Sequence, residues 1–118
     1  MDNSSNEERA ELLLRKYGFN FASLPDEEIR GLLKNEIENY VEGSSEYLRV
    51  LCGYLFCIGN TADLELIKKA KYSLNFDVGC MIDSDWIDSM EGSGYTNISR
   101  RNELIGEFEA YYKSYFKL

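Results

Sequence analysis

Apolar residues recur along most of the chain at the three- and four-residue spacing that is typical of an α-helix with one buried face. The mostly polar residues 1–6 precede this pattern, and we expect them to be frayed. The first helical segment then runs to Tyr17 and ends at Gly18, and a second starts at Pro25 and ends at Gly43. The pattern therefore predicts two helices joined by a short loop.

The third segment is the most apolar part of the chain. Ser44 or Ser45 caps a helix that reaches about Ile58, and the stretch VLCGYLFCI at residues 50–58 carries no charged side chain. A helix that is apolar on all sides packs at the centre of a bundle, and this one is too short to span a membrane. We expect it to form the core.

Three more helices are predicted in the second half. The fourth covers ADLELIKKAKYS, residues 62–73, with its lysines facing solvent. The fifth runs without a break from about Val78 to Met90 and is capped by Asp77, and the sixth is capped by Thr96 or Ser99 and runs to the C-terminus. About six helices in antiparallel hairpins predict one all-α domain over residues 1–118. Since no repeat period is visible, we favour an irregular bundle over a HEAT- or ankyrin-like stack.

Composition narrows the classes of function. The chain holds 21 acidic and 13 basic residues, a formal charge of −8. Nucleic-acid binding needs clustered Lys and Arg and is not expected, whereas a negative surface attracts a basic partner. No apolar run is long enough to span a membrane, and the acidic N-terminal segment is unlike a secretory signal, so we expect a cytoplasmic protein without membrane contact.

Residues that carry chemistry are scarce. There is no histidine, no glycine-rich phosphate loop, and no Ser or Cys beside a plausible base, so we predict that the protein is not an enzyme and holds no cofactor. Cys52, Cys57 and Cys80 lie in apolar surroundings without metal-site spacing, and we expect buried, reduced thiols.

The segment IDSDWIDSMEGSGY, residues 82–95, surrounds the only tryptophan with acids, and no Lys or Arg occurs anywhere in 76–99. Its acidic residues are Asp83, Asp85, Asp88 and Glu91. A calcium loop starting at Asp83 would have Ile87 at its fifth position and Gly94 at its twelfth, where oxygen ligands are needed. No metal site is therefore predicted.

On a helix, Trp86 shares one apolar stripe with the residues four positions before and after it, and we interpret it as a core residue or a partly exposed supporting ring. Asp85, Asp88 and Glu91 fall on the other side of the helix, and we call these three residues the acidic ridge. Asp83 lies at the margin of the apolar stripe. Because the segment contains no lysine, we expect the ridge to be uncompensated and suited to a cationic partner. An ordinary solvated helix face would show the same pattern.

The last predicted helix is rich in aromatic residues. Phe108, Tyr112 and either Tyr115 or Phe116 share a face and are expected in the core, whereas Tyr111 points elsewhere and is expected to be exposed. Tyrosine is enriched at protein interfaces because it supplies contact area at low entropic cost. Tyr111 is therefore a candidate contact residue.

The segments YLRVLCGYLFCIGN, DLELIKKAK and FDVGCMID resemble the small helical bacterial immunity proteins of polymorphic toxin and contact-dependent growth-inhibition systems. The resemblance covers roughly residues 47–94 and departs from the family pattern at Lys68, where an aromatic is common. The matched positions are Leu48, Leu51, Cys52, Leu55, Phe56, Gly59, Asn60, Asp63, Leu66, Ile67, Ala70, Lys71, Phe76, Asp77, Ile82 and Asp83.

The resemblance implies a protein that binds one toxin domain, in several cases an EndoU-type nuclease with a basic cleft, and occludes its active site. The leading hypothesis is therefore an immunity protein with an acidic contact surface. The alternatives are a helical-repeat adaptor that binds a peptide or helix through Tyr111 and Tyr115, and a regulator with a small-molecule pocket. Glu27, Glu28, Glu36 and Glu38 form a second candidate acidic surface. The predicted partner-binding residues are Asp83, Asp85, Trp86, Asp88, Glu91, Tyr95 and Tyr111.

Overall fold

A computed structural model describes residues 3–41, 43, 45–91 and 98–118, and the side chains of the first helix from Glu7 onward. Within these ranges the chain forms seven α-helices and no strand, as the all-α prediction requires. The helices are α1 (Asn3–Tyr17), α2 (Asp26–Glu38), α3 (Ser45–Ile58), α4 (Leu64–Ser73), α5 (Phe76–Met81), α6 (Ser84–Glu91) and α7 (Ile98–Tyr115). Short 3-10 turns cover Phe21–Ser23 and Thr61–Asp63.

Helix α3 is the centre of the bundle, as its charge-free sequence predicts. It contacts α1, α2, α4, α5 and α6, and every residue of its stretch 50–57 is buried. The radius of gyration is 13.4 Å, close to the roughly 13.5 Å of a compact domain of this length. The fold is therefore an irregular bundle around one helix.

An aromatic cluster joins α3 to α6 and α7. The Trp86 ring stacks on Phe56 with 5.7 Å between ring centres and meets Phe108 edge-on at 5.8 Å. Gly53 permits this close packing, since a Cβ atom there would lie 2.2 Å from a ring carbon of Phe108. The glycine in the middle of α3 therefore makes room for the Phe108 ring of α7.

The C-terminal end of α3 is completed by a side chain from α7. Arg101 donates to the carbonyl oxygens of Phe56 and Cys57 at 2.9 and 2.8 Å, and Gly59 follows in the left-handed region at φ +84°. The last carbonyls of a helix lack partners within the helix, and a cation there also suits the helix dipole. Arg101 thus satisfies two carbonyls that would otherwise be unpaired.

The prediction of one unbroken helix from Val78 to Met90 is wrong. Ile82 is extended (φ −89°, ψ 118°) and separates α5 from α6. Asp83 then starts α6, because its carboxylate accepts the backbone N–H of Asp85 at 2.8 Å. The stripe of apolar residues nevertheless stays buried across the break, since a short turn carries it from one helix to the next.

Other boundaries also differ from the predictions. Helix α1 already begins at Asn3, inside the segment expected to be frayed, and α2 ends at Glu38 instead of Gly43. The cap of α5 is Asn75, whose side chain accepts the N–H of Val78 at 3.0 Å, in place of the predicted Asp77. No helix in the described ranges is both long enough and apolar enough to cross a bilayer.

Buried thiol and phenol groups make folding sensitive to alkaline pH. Burial raises the pKa of Cys57 from 9.0 to about 12, an effect that Arg101 opposes, and burial likewise raises the pKa of Cys52, Tyr54 and Tyr112. The folded protein therefore holds these protons at a pH where the unfolded chain has released them. The stability that these groups contribute is fully present below their pKa values in the unfolded chain, which are 9.0 for Cys and 10.0 for Tyr. That contribution is lost as the pH rises above those values.

We expect urea midpoints to be nearly constant from about pH 7 to about pH 8.5 and then to fall. Each such group contributes a slope of about 1.4 kcal/mol per pH unit once the unfolded group is deprotonated. The variant Cys57→Ala should reduce the slope of unfolding free energy between pH 9.0 and about 12. The exposed Cys80 provides the matched control, and an equal reduction in Cys80→Ala would contradict the assignment.

Candidate functional site

The acidic ridge is largely neutralised by the protein itself, contrary to expectation. Asp85 pairs with Arg100 of α7 at 2.6 Å, and Glu91 pairs with Lys68 of α4. Asp88 remains exposed, with no ion pair to any residue in the described ranges. The cations come from neighbouring helices, so a segment without lysine still has its charge compensated in three dimensions.

The other predicted contact residues have mixed positions. Trp86 is 2% exposed and so is not available for direct contact, which agrees with its interpretation as a core residue. Asp83 is half-buried at the start of α6, and Tyr111 is 44% exposed, as predicted. Tyr95 lies outside the described residues.

The second candidate acidic surface does not form one patch of free carboxylates. Glu36 is buried and bonded by both terminal nitrogens of Arg9, and Glu28 accepts a hydrogen bond from the Tyr17 hydroxyl. Glu27 and Glu38 are exposed. Half of the expected set is thus committed to contacts between α1 and α2.

A different surface combines exposed aromatic residues with concave shape, and we call it the α5 face. Phe76 is 82% exposed and Tyr72 67%, which makes them the two most exposed large hydrophobic residues in the described ranges. Cys80 and Tyr111 line the adjoining clefts of this face, and Tyr115 stacks on Tyr111 with 5.6 Å between ring centres. Exposed apolar residues around a depression are typical of an interaction site.

Two clefts lie side by side in the α5 face. One, of about 540 Å³, is bounded by Tyr72, Asn75 and Phe76, and the other, of about 560 Å³, by Arg49, Asp83 and Tyr111. They share three lining residues, Lys71, Gly79 and Cys80. The two clefts therefore form one continuous depression along α5.

The six-residue helix α5 is held in place by two cations from other helices. Lys71 of α4 donates to the carbonyl oxygens of Gly79 and Ile82 at 2.5 Å each, and Arg49 of α3 donates through Nε to the Met81 carbonyl at 2.9 Å. Positive charge at the C-terminal end of a helix is favourable. The expectation that Lys71 faces solvent is wrong, because its ammonium group closes this end of α5.

The guanidinium group of Arg49 is enclosed by aromatic rings. Its carbon lies 5.1 Å from the Trp86 ring centre, 4.9 Å from Tyr111 and 5.2 Å from Tyr112. The hydroxyl group of Tyr112 donates a hydrogen bond to the buried carboxylate of Glu46. Burial raises the pKa of this hydroxyl group, the nearby charge of Arg49 lowers it, and that of Glu46 raises it. Nη1 of Arg49 is buried and finds no hydrogen-bond acceptor in the described part of the protein.

The three thiols differ in accessibility. Cys52 and Cys57 are buried as predicted, but Cys80 is exposed on α5, so the prediction of three buried thiols is wrong there. Cys80 follows the α5 cap by five positions, on the side of the helix opposite the buried Val78. It gives the α5 face a single accessible thiol for labelling.

A further groove of about 340 Å³ lies between α1 and α2, lined by Leu12, Lys16 and Leu32 among others. Leu12 is 66% exposed at its edge. Its main charged groups, Arg9 and Glu28, already have partners within the protein. Its exposed edge residue is thus an aliphatic side chain, whereas the α5 face exposes aromatic rings.

Sequence reasoning missed Phe76, Tyr72 and the role of Arg49. One signal was available, because Phe76 directly follows the α5 cap and lies off the apolar stripe that starts at Val78. A large aromatic on the polar side of a helix is exposed unless another element covers it. The position of Arg49 depends on contacts between distant segments and has no comparable local signal.

No group of three or more Cys, Asp or Glu side chains with the geometry of a metal site occurs among the described residues. Comparisons with protein-family models, with curated proteins and with solved structures find no match to this chain.

Proposed function

We propose that this protein is an immunity protein that binds a bacterial toxin domain through the α5 face and blocks its activity without chemistry of its own. The observation that carries the proposal is the pair of exposed aromatic side chains, Phe76 and Tyr72, beside a continuous depression. Interfaces typically place aromatic and Arg anchors at the centre and polar residues at the rim. The α5 face has this composition.

Charge supports a basic partner. The net charge of −8 favours fast encounter with a cationic domain, and the acidic side chains of Asp77, Asp83 and Asp88 lie on α5, at the α6 cap and on α6. A nuclease domain with a basic cleft is complementary to this rim, and the sequence resemblance to immunity proteins points in the same direction. In this proposal the aromatic residues provide affinity, and the remaining free acids provide steering.

The test is calorimetric titration with purified basic nuclease toxin domains, beginning with any such domain that the neighbouring reading frame encodes. We expect a 1:1 complex, and the variant Phe76→Ala should weaken it about 30-fold or more, because truncation of a central aromatic removes a hot spot. Tyr72→Ala should also weaken binding. The matched control is Leu12→Ala, a residue of similar exposure at the other groove, which should leave affinity unchanged.

Equal affinity of Phe76→Ala and the unaltered protein would rule out the α5 face as the contact surface.

A second candidate function is supported by the stacked, 44% exposed rings of Tyr111 and Tyr115, which would suit an adaptor that binds a helix or peptide. Loss of binding in Tyr111→Ala together with Tyr115→Ala, but not in Phe76→Ala, would favour the adaptor.

A further inference from the structure

The α5-face cleft of about 560 Å³ is lined by two cations that have no carboxylate partner among the described residues. Neither Arg49 nor Lys71 has an ion pair within 4.0 Å among the described residues, although the chain holds 21 acids. Both cations instead donate to backbone carbonyls at the end of α5. The two positive charges at this cleft are therefore balanced by carbonyl dipoles and not by an acidic side chain.

Among the described residues that line this cleft, one is an acid, and it is already engaged. Asp83 uses one carboxylate oxygen to accept the N–H of Asp85, which fixes it as the cap of α6. Arg49 meanwhile has a buried nitrogen, Nη1, with no acceptor in the described ranges. A buried donor without a partner is unfavourable, and more so when the group is charged. An incoming oxygen acceptor would relieve that cost.

Tyr111 covers one side of this guanidinium group and is itself 44% exposed at the cleft. A side chain at the surface changes rotamer on the picosecond to nanosecond timescale, and Tyr111 gives up its stacking on Tyr115 and its contact with Arg49 when it moves aside. Movement of this ring would open Arg49 to the cleft. The carboxylate of Asp or Glu matches a planar guanidinium better than it matches any other side chain, because two N–H groups can donate to its two oxygens.

We infer that the cleft lined by Arg49 and Lys71 receives an acidic side chain of the toxin domain, which pairs with the guanidinium after Tyr111 moves aside. This inference rests on the proposed function and adds the chemistry of one contact. A basic toxin domain would thus be held by a rim of acids on this protein and by one central ion pair of opposite polarity, in which this protein supplies the cation and the toxin the carboxylate. This central ion pair makes binding specific, because a basic domain that lacks the acidic side chain would leave Arg49 and Lys71 unpaired.

The first experiment needs no toxin. N-acetyl-glutamate methylamide is titrated into the isotopically labelled protein while the Arg49 Nε–H and Met81 amide signals are followed by NMR, and the glutamine analogue serves as the neutral control. We expect saturable shifts with the glutamate probe only. Equal shifts with both probes, or none with either, would overturn the inference. Succinate binding about tenfold tighter than the probe would indicate a free dicarboxylate site and would also overturn it.

The second experiment uses the complex. Arg49→Met should abolish the response to the probe and weaken toxin affinity about 30-fold, because it leaves the partner's carboxylate unpaired. If Arg49→Met fails to fold, the probe pair on the unaltered protein still decides. Unchanged toxin affinity in a folded Arg49→Met protein would overturn the inference while the proposed function stands. Probe binding without any toxin binding would show that the proposed function has failed.

Discussion

Replacement of Trp86 by alanine is expected to lower the free energy of unfolding by about 3–5 kcal/mol, the usual cost of truncating a buried tryptophan. The ring is 2% exposed, stacks on Phe56 and meets Phe108 edge-on, so its removal leaves a cavity between α3, α6 and α7. Total stabilities of domains are about 5–15 kcal/mol, and Trp86→Ala would therefore lie close to unfolding. Urea unfolding followed by far-ultraviolet circular dichroism measures the change without depending on tryptophan fluorescence.

Two controls separate packing from other effects of the substitution. Trp86→Phe keeps an aromatic ring in the cluster and should lose less stability than alanine does. Asp88→Ala changes an exposed residue on the same helix and should stay within about 0.5 kcal/mol of the unaltered protein. A loss below about 1 kcal/mol in Trp86→Ala would be incompatible with a packed ring.

Replacement of Arg30 by methionine is expected to cost a similar amount, about 3–5 kcal/mol, because it leaves the Asp63 carboxylate buried without its cation. Asp63 is 2% exposed in its side chain and Arg30 23%, and Arg30 Nη2 donates to an Asp63 oxygen at 3.0 Å. The carboxylate also holds the pKa of Arg30 above its ordinary value. The ion pair connects α2 to the 3-10 turn Thr61–Asp63, which precedes α4.

The double variant Arg30→Met with Asp63→Leu distinguishes a buried unpaired charge from lost packing. It should recover most of the stability, since apolar replacement of both partners of a buried pair is often nearly neutral. Asp26→Asn is the matched control, because Asp26 contacts the same guanidinium at 3.3 Å from an exposed position. That change should cost no more than about 1 kcal/mol. Equal losses in Arg30→Met and Asp26→Asn would disprove the assignment of the buried pair.

Local sequence signals predicted the helices well where one signal dominated. The charge-free run 50–57 marked the central helix, and the aromatic spacing of α7 placed Phe108 and Tyr112 in the core and Tyr111 outside. The break at Ile82 was missed because the four-residue apolar spacing continues across it. There the N-cap preference of Asp83 and the extended backbone of Ile82 prevail over helix continuation.

The site was harder to predict, because it depends on pairs between segments far apart in sequence. Spacing rules reveal charge pairs three or four residues apart on one helix, and Glu91 with Lys68 or Asp85 with Arg100 lie outside that range. The acidic ridge was therefore read as uncompensated. Arg49 and Lys71 converge on the end of α5 for the same reason, through tertiary contacts that no periodicity displays.

The dependence of the central helix on α7 has a consequence for synthesis on the ribosome. Arg101 supplies the donors for the Phe56 and Cys57 carbonyls, and Phe108 fills the space above Gly53. Until residues 98–115 have left the exit tunnel, those carbonyls of the nascent chain have no Arg101 donor, and Trp86 lacks its contact with Phe108. Translation pauses before this segment has emerged should therefore prolong exposure to chaperones and proteases.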